Sequence, residues 1–338
     1  MSGFVHSDDW RPTTSFDTLR LRAQLLARVR EFFRERGYLE VETPLLSRDV
    51  VIDTHIDPLT STVCGERRFL QTSPEFAMKR LLAAGSGPIF QVCKAFRDQE
   101  HGARHNPEFT MIEWYAPHST YFDQMTVTEA LVRELAASTG AVATPRLRIG
   151  PEKFDRISYI KAFREATNTE ILNLNAEALM DLTRDHQLVI PESLDSDEAS
   201  IDEWRNLLLA ELVEPNLGLD RPAFLYDYPA TQAALARLKP DGPRVAMRFE
   251  LYIDGVEICN GYDELLDPAE LRVRGAEQNR CRSTLGKPVM PEESRLLDAM
   301  DSGLPNCSGV ALGFDRLLAV LLGKTSLHEV MPFPFERA

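Results

Sequence analysis

Cysteine is scarce in this 338-residue chain: five residues, at positions 64, 93, 259, 281 and 307, odd in number and never spaced C-x-x-C. The pattern argues against a disulfide framework or a cysteine zinc site, suits a reducing cytosol, and leaves each cysteine as a small buried hydrophobe. Long apolar runs are also missing. "LLAVLL" at 317–322 is far shorter than the roughly 18 residues of a membrane span. The opening "MSGFVHSDDW" has neither the cationic start nor the apolar run of a signal peptide, so a cytoplasmic protein is expected. Positive charge is in deficit, with a formal net charge of −14. Gripping nucleic acid along a broad face needs a basic field, so no extended tRNA or DNA contact is expected, and a basic protein partner fits better. No Walker loop and no strand-linked G-x-G-x-x-G occurs, so any nucleotide must be held by another architecture.

What is present is ordinary globular composition, 43% apolar and 27% charged, in a chain long enough for one large domain or two unequal ones. Residues 1–16 lack periodicity and read as a flexible leader to a folded unit at 17–338. From Asp17, a candidate N-cap, "TLRLRAQLLARVREFFRERG" puts Leu21, Leu25, Val29, Phe32 and Phe33 on one helix face, with Gly37 as the stop. "YLEVETP" and "RRFLQT" are strand-like, and Pro44 ends the first. "SPEFAMKRLLAAG" reads as a helix with Ser73 as N-cap, Pro74 at the first helical position and Gly85 at the exit. "QVCKAFRDQEHGARHNPEFTMIEWY" (91–115) reads as strand, loop, strand, with Phe109, Met111, Glu113 and Tyr115 sharing one face of the second strand. A helix follows around 123–138, and 150–240 reads as a mainly helical insertion. Strand character returns in "RVAMRFELYI" and "VEICNGYDEL", joined at the hairpin signal Asp254-Gly255. Helices near 267–283 and 292–301 precede "CSGVALGFDRLLAVLLG", an apolar strand running into a helix. Hairpin-joined strands flanked by helices predict an α+β fold built on an antiparallel sheet.

The loop after "VCKAF" carries far more charged and ring-bearing side chains than a tight turn needs. Arg97 and Arg316 stand at the ends of strand-like runs, where a guanidinium can grip a phosphate or carboxylate with two parallel hydrogen bonds. Either alone is more often a surface residue. Gly313, near a helix start, leaves the backbone open to close approach. Glu257 and Glu264 are seven apart, so strict alternation puts them on opposite faces unless Asn260-Gly261 forms a bulge. On one face they would suit Mg²⁺, which needs only one or two protein carboxylates beside phosphate oxygens; two exposed glutamates is the plainer reading. Glu75 sits in a first helical turn, where the helix dipole favours an acid in any case. His101 and His105 read as polar loop residues beside a ligand in preference to a metal pair. Spacing alone locates no Ser–His–Asp or Cys–His arrangement.

Taken together, these segments resemble the catalytic core of the class II aminoacyl-tRNA synthetases, the lysyl branch in particular. "RVREFFRERGYLEVETPLL" resembles motif 1, the helix, strand and proline of a dimer interface; "FRDQEHGARHNPEFTMIEWY" resembles motif 2, and "GVALGFDRLLAVLLG" motif 3. "TSPEFAMKRLL" and "RFELYIDGVEICNGYDEL" resemble the branch's amino-acid and metal segments. The likeness covers about 18–116 and 244–332. It implies an antiparallel sheet flanked by helices, a homodimer through the motif 1 helix, and a motif 2 loop that acts as lid and clamp for ATP. By this resemblance Arg97 holds the α-phosphate, Arg316 clamps the distal phosphates, and Asp98, Asn106, Ile258 and Gly313 lie along the nucleotide. Glu257 and Glu264 hold Mg²⁺ or order the phosphates. Ser73, Pro74 and Glu75 meet the amino group next to the carboxyl end, and Tyr115 and Glu264 take the distant ammonium of a lysine-like substrate.

The family pattern Arg-x-Glu is here Arg97-Asp98-Gln99, followed by Glu100. Gln99 can accept the adenine amino group through its carbonyl oxygen and is the preferred candidate, with Glu100 the alternative. Motif 1 begins near residue 18, which leaves no room for the N-terminal barrel of lysyl-tRNA synthetases. That resembles the truncated relatives that ligate β-lysine to a lysine of elongation factor P. Ala311, where the lysyl synthetases tend to have glycine, points the same way, although one methyl group discriminates by only ~1–3 kcal/mol. A stand-alone lysyl-tRNA synthetase core is one alternative. A small-molecule amide ligase is another, and one acting on aspartate would want cationic residues near the substrate side chain.

Overall fold

The computed structural model describes residues 10–140, 149–191, 194, 200–242 and 244–338. The chain opens with helix α1 (Phe16–Glu35) and the short strands β1 (Leu39–Glu40), β2 (Leu46–Ser47), β3 (Thr60–Val63) and β4 (Glu66–Leu70). Helix α2 (Glu75–Ala83) leads to strands β5 (Ile89–Phe96) and β6 (Glu108–Pro117) and helix α3 (Tyr121–Ser138). Strand β7 (Asp155–Ser158), helices α4 (Tyr159–Thr167), α5 (Ala176–Asp185) and α6 (Ile201–Leu208), and strand β8 (Ala223–Pro229) follow. The hairpin β9 (Val245–Ile253) and β10 (Val256–Asp263), helices α7 (Pro268–Thr284) and α8 (Arg295–Gly303), strand β11 (Cys307–Gly313) and helix α9 (Phe314–Leu321) complete the set.

The main sheet has the order β1-β5-β6-β11-β10-β9-β8-β7, and β2-β4-β3 form a small second sheet. All pairs from β5 through β8 are antiparallel, as expected for the α+β fold, while β1 on β5 and β7 on β8 at the edges are parallel. The segment 150–240 therefore supplies two sheet strands as well as α4–α6. Asp254 and Gly255 both have positive φ, the conformation that a two-residue hairpin turn needs between β9 and β10.

Several local expectations shift by a residue or two. Ser15, not Asp17, caps α1: its hydroxyl accepts from the Thr18 N–H at 3.1 Å, and Asp17 lies in the first turn, where the dipole favours it. Helix α2 begins at Glu75, with Ser73 Oγ accepting from the Glu75 N–H at 3.1 Å. Of the leader expected over 1–16, residues 1–9 lie outside the described residues, and the Thr13 N–H and hydroxyl donate to Pro332 and Met331 carbonyls, both at 2.9 Å. Cys259 and Cys307 are buried, but Cys64 is exposed, because it falls with Gly65 in the β3–β4 turn. Among the described residues no helix is long and apolar enough to cross a membrane.

One face of the sheet is sealed by helices. Leu25, Val29, Phe32 and Phe33 of α1 pack with Phe90, Ile112, Trp114, Val310 and Leu312 of the strands and with α3 and α9. Phe33 stacks on Phe90 at 4.7 Å between ring centroids, and Trp114 donates its indole N–H to Gln124 Oε1 at 2.7 Å, so even the polar edge of this core is satisfied. The other face is covered only at its two ends. Phe76, Met78 and Leu82 of α2 and Leu296 and Met300 of α8 pack on Ile89, Tyr115 and Cys307 at one end. Tyr159, Phe163, Leu179, Trp204 and Leu208 of the 150–240 segment pack on Leu225, Tyr228 and Tyr252 at the other. Between these caps the middle strands form the floor of a large opening.

Candidate active site

The floor follows from strand alternation. Ile112 and Trp114 of β6 point into the sealed core, so Met111, Glu113 and Tyr115 face the opening, where they line a cavity of about 1760 Å³. Across β11, Gly313, Ala311 and Gly309 lie opposite these three residues. Gly309 has a steric reason to be glycine. An added Cβ would stand 2.2 Å from the Tyr115 ring and 3.0 Å from Glu264 Oε1. Gly309→Ala therefore displaces Tyr115 at a stability cost of about 1–3 kcal/mol. Thermal unfolding of the variant should show that loss as a midpoint lowered by a few degrees.

At the α2 end lies a buried acid cluster. Lys79 Nζ stands 2.5 Å from Glu75 Oε1 and 2.5 Å from Glu264 Oε2. Glu113, fully buried, accepts from Ser73 Oγ at 2.8 Å and from the Tyr115 hydroxyl at 2.6 Å. Burial, with Glu75 nearby, pushes the Glu113 carboxyl up to about 7. Burial raises Glu264 as well, against the pull of the Lys79 ammonium. Carboxylates withdrawn from water need cationic partners, and three acids facing one lysine leave this pocket short of positive charge. Asn260, opposite Ala311 on β10, also lines the cavity, and its buried Oδ1 has no partner among the described residues.

At the α9 end stand the two arginines, and both line the same cavity. Arg97 leaves β5 with its guanidinium 5.2 Å over the Phe109 ring and reaches Glu100 Oε1 only at 3.4 Å. Arg316 donates to Glu257 Oε2 at 3.1 Å and to His105 Nε2 at 2.6 Å. Burial and that guanidinium lower the His105 pKa, so its neutral ring serves as acceptor. Asp315 sets the start of α9: it accepts from Arg22 Nη1 at 2.5 Å and from the Thr110 N–H at 2.6 Å, tying α9 to α1 and β6. Gly313, the helix N-cap, lines the cavity too, and a Cβ there would meet nothing nearer than 3.7 Å within the protein. The open space beside it is left for a ligand.

The expected metal pair is not brought together. A bulge does occur, but at Ile258 and not at Asn260-Gly261, between the pairs Glu257–Tyr252 and Cys259–Leu251. It turns Glu257 to the same face as Glu264. Seven residues at about 3.3 Å each still keep the two roughly 20 Å apart, so they cannot share an ion. The carboxylate beside Glu257 is Glu250, its diagonal neighbour across the hairpin at roughly 7–8 Å. Glu250 was missed in the sequence, although counting the hairpin register back from Asp254-Gly255 places it near Glu257. Among the described residues no three His, Cys, Asp or Glu side chains form a ready metal site. Two hard carboxylates nevertheless fit Mg²⁺, which takes its remaining ligands from phosphate and water.

The Glu250 surroundings are tightly wired. Tyr228 and Tyr252 hydroxyls each lie 2.6 Å from Glu250 Oε2, Arg248 Nη2 donates to Oε1 at 2.6 Å, and the Tyr252 hydroxyl is also 2.9 Å from Glu214 Oε1. The two carboxylates share the Tyr252 hydroxyl, and burial pushes Glu214 up to about 7.

Other expected residues divide. Gln99 is exposed and does not line the cavity, whereas Glu100 does, so the preference for Gln99 at the adenine is not supported by position. Asn106 lines the cavity, but its Oδ1 accepts from the Phe335 N–H at 2.9 Å and its Nδ2 donates to the Glu108 carbonyl at 2.6 Å, which leaves one N–H for a ligand. Asp98 is not part of the lining, and Ile258 is. His101 pairs with Glu336 at 2.5 Å, away from His105 and Arg316. Lys79 and Glu113 were not singled out as site residues. Lys79 was legible as the i+4 partner of Glu75, and Glu113 as the strand-mate of Tyr115.

Comparison with known proteins gives the family. Residues 7–337 match the family model of class II tRNA synthetases (D, K and N). The chain is 40% identical, over 98% of its length and 99% of the relative's, to the elongation factor P--(R)-beta-lysine ligase of Pasteurella multocida (strain Pm70). It is also 40% identical, over 97% of its length and 98% of theirs, to proteins of the same name from Klebsiella pneumoniae (strain 342) and Salmonella gallinarum. The expected likeness to class II synthetases is borne out along almost the whole chain: this protein belongs to the class II tRNA synthetases of the D, K and N group.

Proposed function

We propose that this chain activates (R)-β-lysine with ATP as an acyl-adenylate and transfers the β-lysyl group to a lysine side chain of elongation factor P. The observation that carries the reading is a single cavity with two unlike ends. Arg97 and Arg316 stand at one end, and the buried acids Glu75, Glu113 and Glu264 at the other. A substrate that spans it is anionic at the reacting end and dicationic along its body. The amino acid's carboxylate oxygen attacks the α-phosphorus, the bond to the bridging oxygen of pyrophosphate breaks, and pyrophosphate leaves. An uncharged lysine amine of the acceptor then attacks the acyl carbonyl, AMP departs, and an amide remains.

Neither step requires a covalent enzyme intermediate; alignment and neutralisation of phosphate charge supply the acceleration. Arg97 takes the α-phosphate, Arg316 the distal phosphates, and Glu100, Asn106, Ile258 and Gly313 bound the nucleotide. Glu250 and Glu257 would hold Mg²⁺, which supplies charge neutralisation on the phosphates. Glu75, with Ser73 and Pro74, takes the amino group near the carboxyl end, and Glu264 and Tyr115 take the far ammonium. Ala311, between Glu113 and Asn260 in register, narrows the floor where an amino group would sit. A homodimer would lie along α1 and the segment after it, where Leu39, Leu45 and Leu46 remain exposed.

The test is transfer. Elongation factor P incubated with the enzyme, ATP and (R)-β-lysine should gain one β-lysyl group on a lysine by mass spectrometry, and tRNA in a parallel arm should remain uncharged. Charged tRNA with unmodified elongation factor P would replace this reading by the stand-alone tRNA synthetase.

A further inference from the structure

We infer that Lys79 is the positioning residue that sets both the spacing and the charge of the diamine pocket. The inference rests on the proposed substrate class. Lys79 is 2% exposed, and its Nζ lies 2.5 Å from a carboxylate oxygen of Glu75 and 2.5 Å from one of Glu264. Those two acids come from unconnected elements, the first turn of α2 and the residue just after β10. Among the described residues Lys79 is the only cation within ion-pair distance of either carboxylate. One ammonium thus fixes how far apart the two acceptors stand, and with it the separation of amino groups that the pocket accepts.

The charge follows from the same contact. Burial favours the protonated forms of Glu113 and Glu264, and the Lys79 ammonium beside them draws both towards the ionised form that a diammonium substrate needs. Without Lys79 the buried acids would hold their protons more firmly, and a protonated acid offers a substrate ammonium no counter-charge.

Lys79 does not itself grip the substrate. Its ammonium donates to Glu75 and is in ion contact with Glu264, and its Nζ lies 5.9 Å from the Tyr115 ring centroid. Nor does it compete as a nucleophile. The flanking carboxylates hold its proton, raising its pKa above the usual lysine value despite burial, so it has no lone pair to offer an activated acyl group beside it.

The experiment compares Lys79→Met, near in volume and uncharged, with the wild-type enzyme. Amino-acid-dependent pyrophosphate–ATP exchange is measured with β-lysine and with its homologue one carbon shorter. The expected result has three parts. The KM for β-lysine rises about 30-fold or more, the KM for ATP stays within threefold, and the wild-type preference for the longer diamine collapses towards unity. Should Lys79→Met not fold, Lys79→Gln, whose amide can still donate to both acids, is used. It should keep the length preference while weakening β-lysine binding, because it retains the link and loses the charge. An unchanged length preference and KM in Lys79→Met, or a fall confined to kcat with both substrates alike, would overturn the role of Lys79 and leave the proposed function standing. Wild-type enzyme inert with both diamines would overturn both.

Discussion

Arg97→Ala and Arg316→Ala are each expected to lower β-lysine-dependent pyrophosphate–ATP exchange by about 10³-fold while leaving the unfolding midpoint nearly unchanged. The two halves of that expectation have separate causes. Arg316 pairs with Glu257 at side-chain exposures of 23% and 38%, and Arg97 meets Glu100 only at 3.4 Å. Partly exposed or long ion pairs of this kind contribute roughly 0–1 kcal/mol to folding. Against a transferring phosphoryl group the same side chains act in a cavity closed by ligand, where one preorganised donor is worth about 10²–10³ in rate and a phosphate-clamping arginine can exceed that.

The two variants should differ in kind. Arg97 is assigned to the α-phosphate, where charge redistributes in the transition state, so its loss should appear mainly in kcat. Arg316 is assigned to phosphates already charged in bound ATP, so its loss should also raise the KM for ATP. Arg316→Ala additionally frees Glu257 and His105. Exchange rates with fluorescence-monitored unfolding as the folding control decide the matter, and near-normal exchange by either folded variant would remove the phosphate clamp.

Glu264→Gln should cost the next largest amount, a fall of about 10²–10³ in kcat/KM for β-lysine with the KM for ATP unchanged. The isosteric amide keeps an acceptor for Lys79, whose other partner, Glu75 at 2.5 Å, remains, so the variant should fold. The substrate's far ammonium then enters a buried pocket without its counter-charge. Truncating one partner of a desolvated charge pair costs about 2–5 kcal/mol, largely as the penalty on the charge left behind. An uncharged-tail analogue of β-lysine should lose its wild-type disadvantage in this variant. If Glu264→Gln activates β-lysine normally, the far ammonium lies elsewhere.

Much of this arrangement was legible in the chain because its signals are local. The apolar stripe Leu25, Val29, Phe32, Phe33 announced α1, Asp254-Gly255 announced the hairpin, and the crowded loop after Arg97 announced a ligand-facing segment. What escaped was non-local. Parallel pairing of β7 with β8 joins segments more than sixty residues apart in sequence, and no periodicity marks it. The bulge at Ile258 is a single extra residue with no composition cue, yet it decides which face Glu257 meets. The sequence paired Glu264 with Glu257 by resemblance and an expected bulge at Asn260-Gly261; with the register known, Glu250 is the carboxylate beside Glu257, and Glu264 stands with the buried acids next to Lys79. Lys79 stayed hidden for a related reason. Its spacing to Glu75 is visible on one helix, but its second carboxylate comes from the residue just after β10, 185 positions later than Lys79 in the numbering. Gln99 and Glu100 are adjacent in the chain and equally plausible as acceptors there, and only the positive φ at Gln99 and its exposure separate them.

The claim beneath all of this is that ATP and a diamino acid occupy one cavity, in line, over β6, β11 and β10. A crystal structure of the enzyme soaked with (R)-β-lysine and α,β-methylene-ATP, whose bond to the leaving phosphate cannot break, tests it most directly. The predicted result is a single triphosphate-derived chain held by both Arg97 and Arg316, with the two substrate ammonium groups at Glu75 and Glu264. Ligand bound with the two guanidinium groups on separate molecules, or the ammonium groups away from the buried acids, would contradict it.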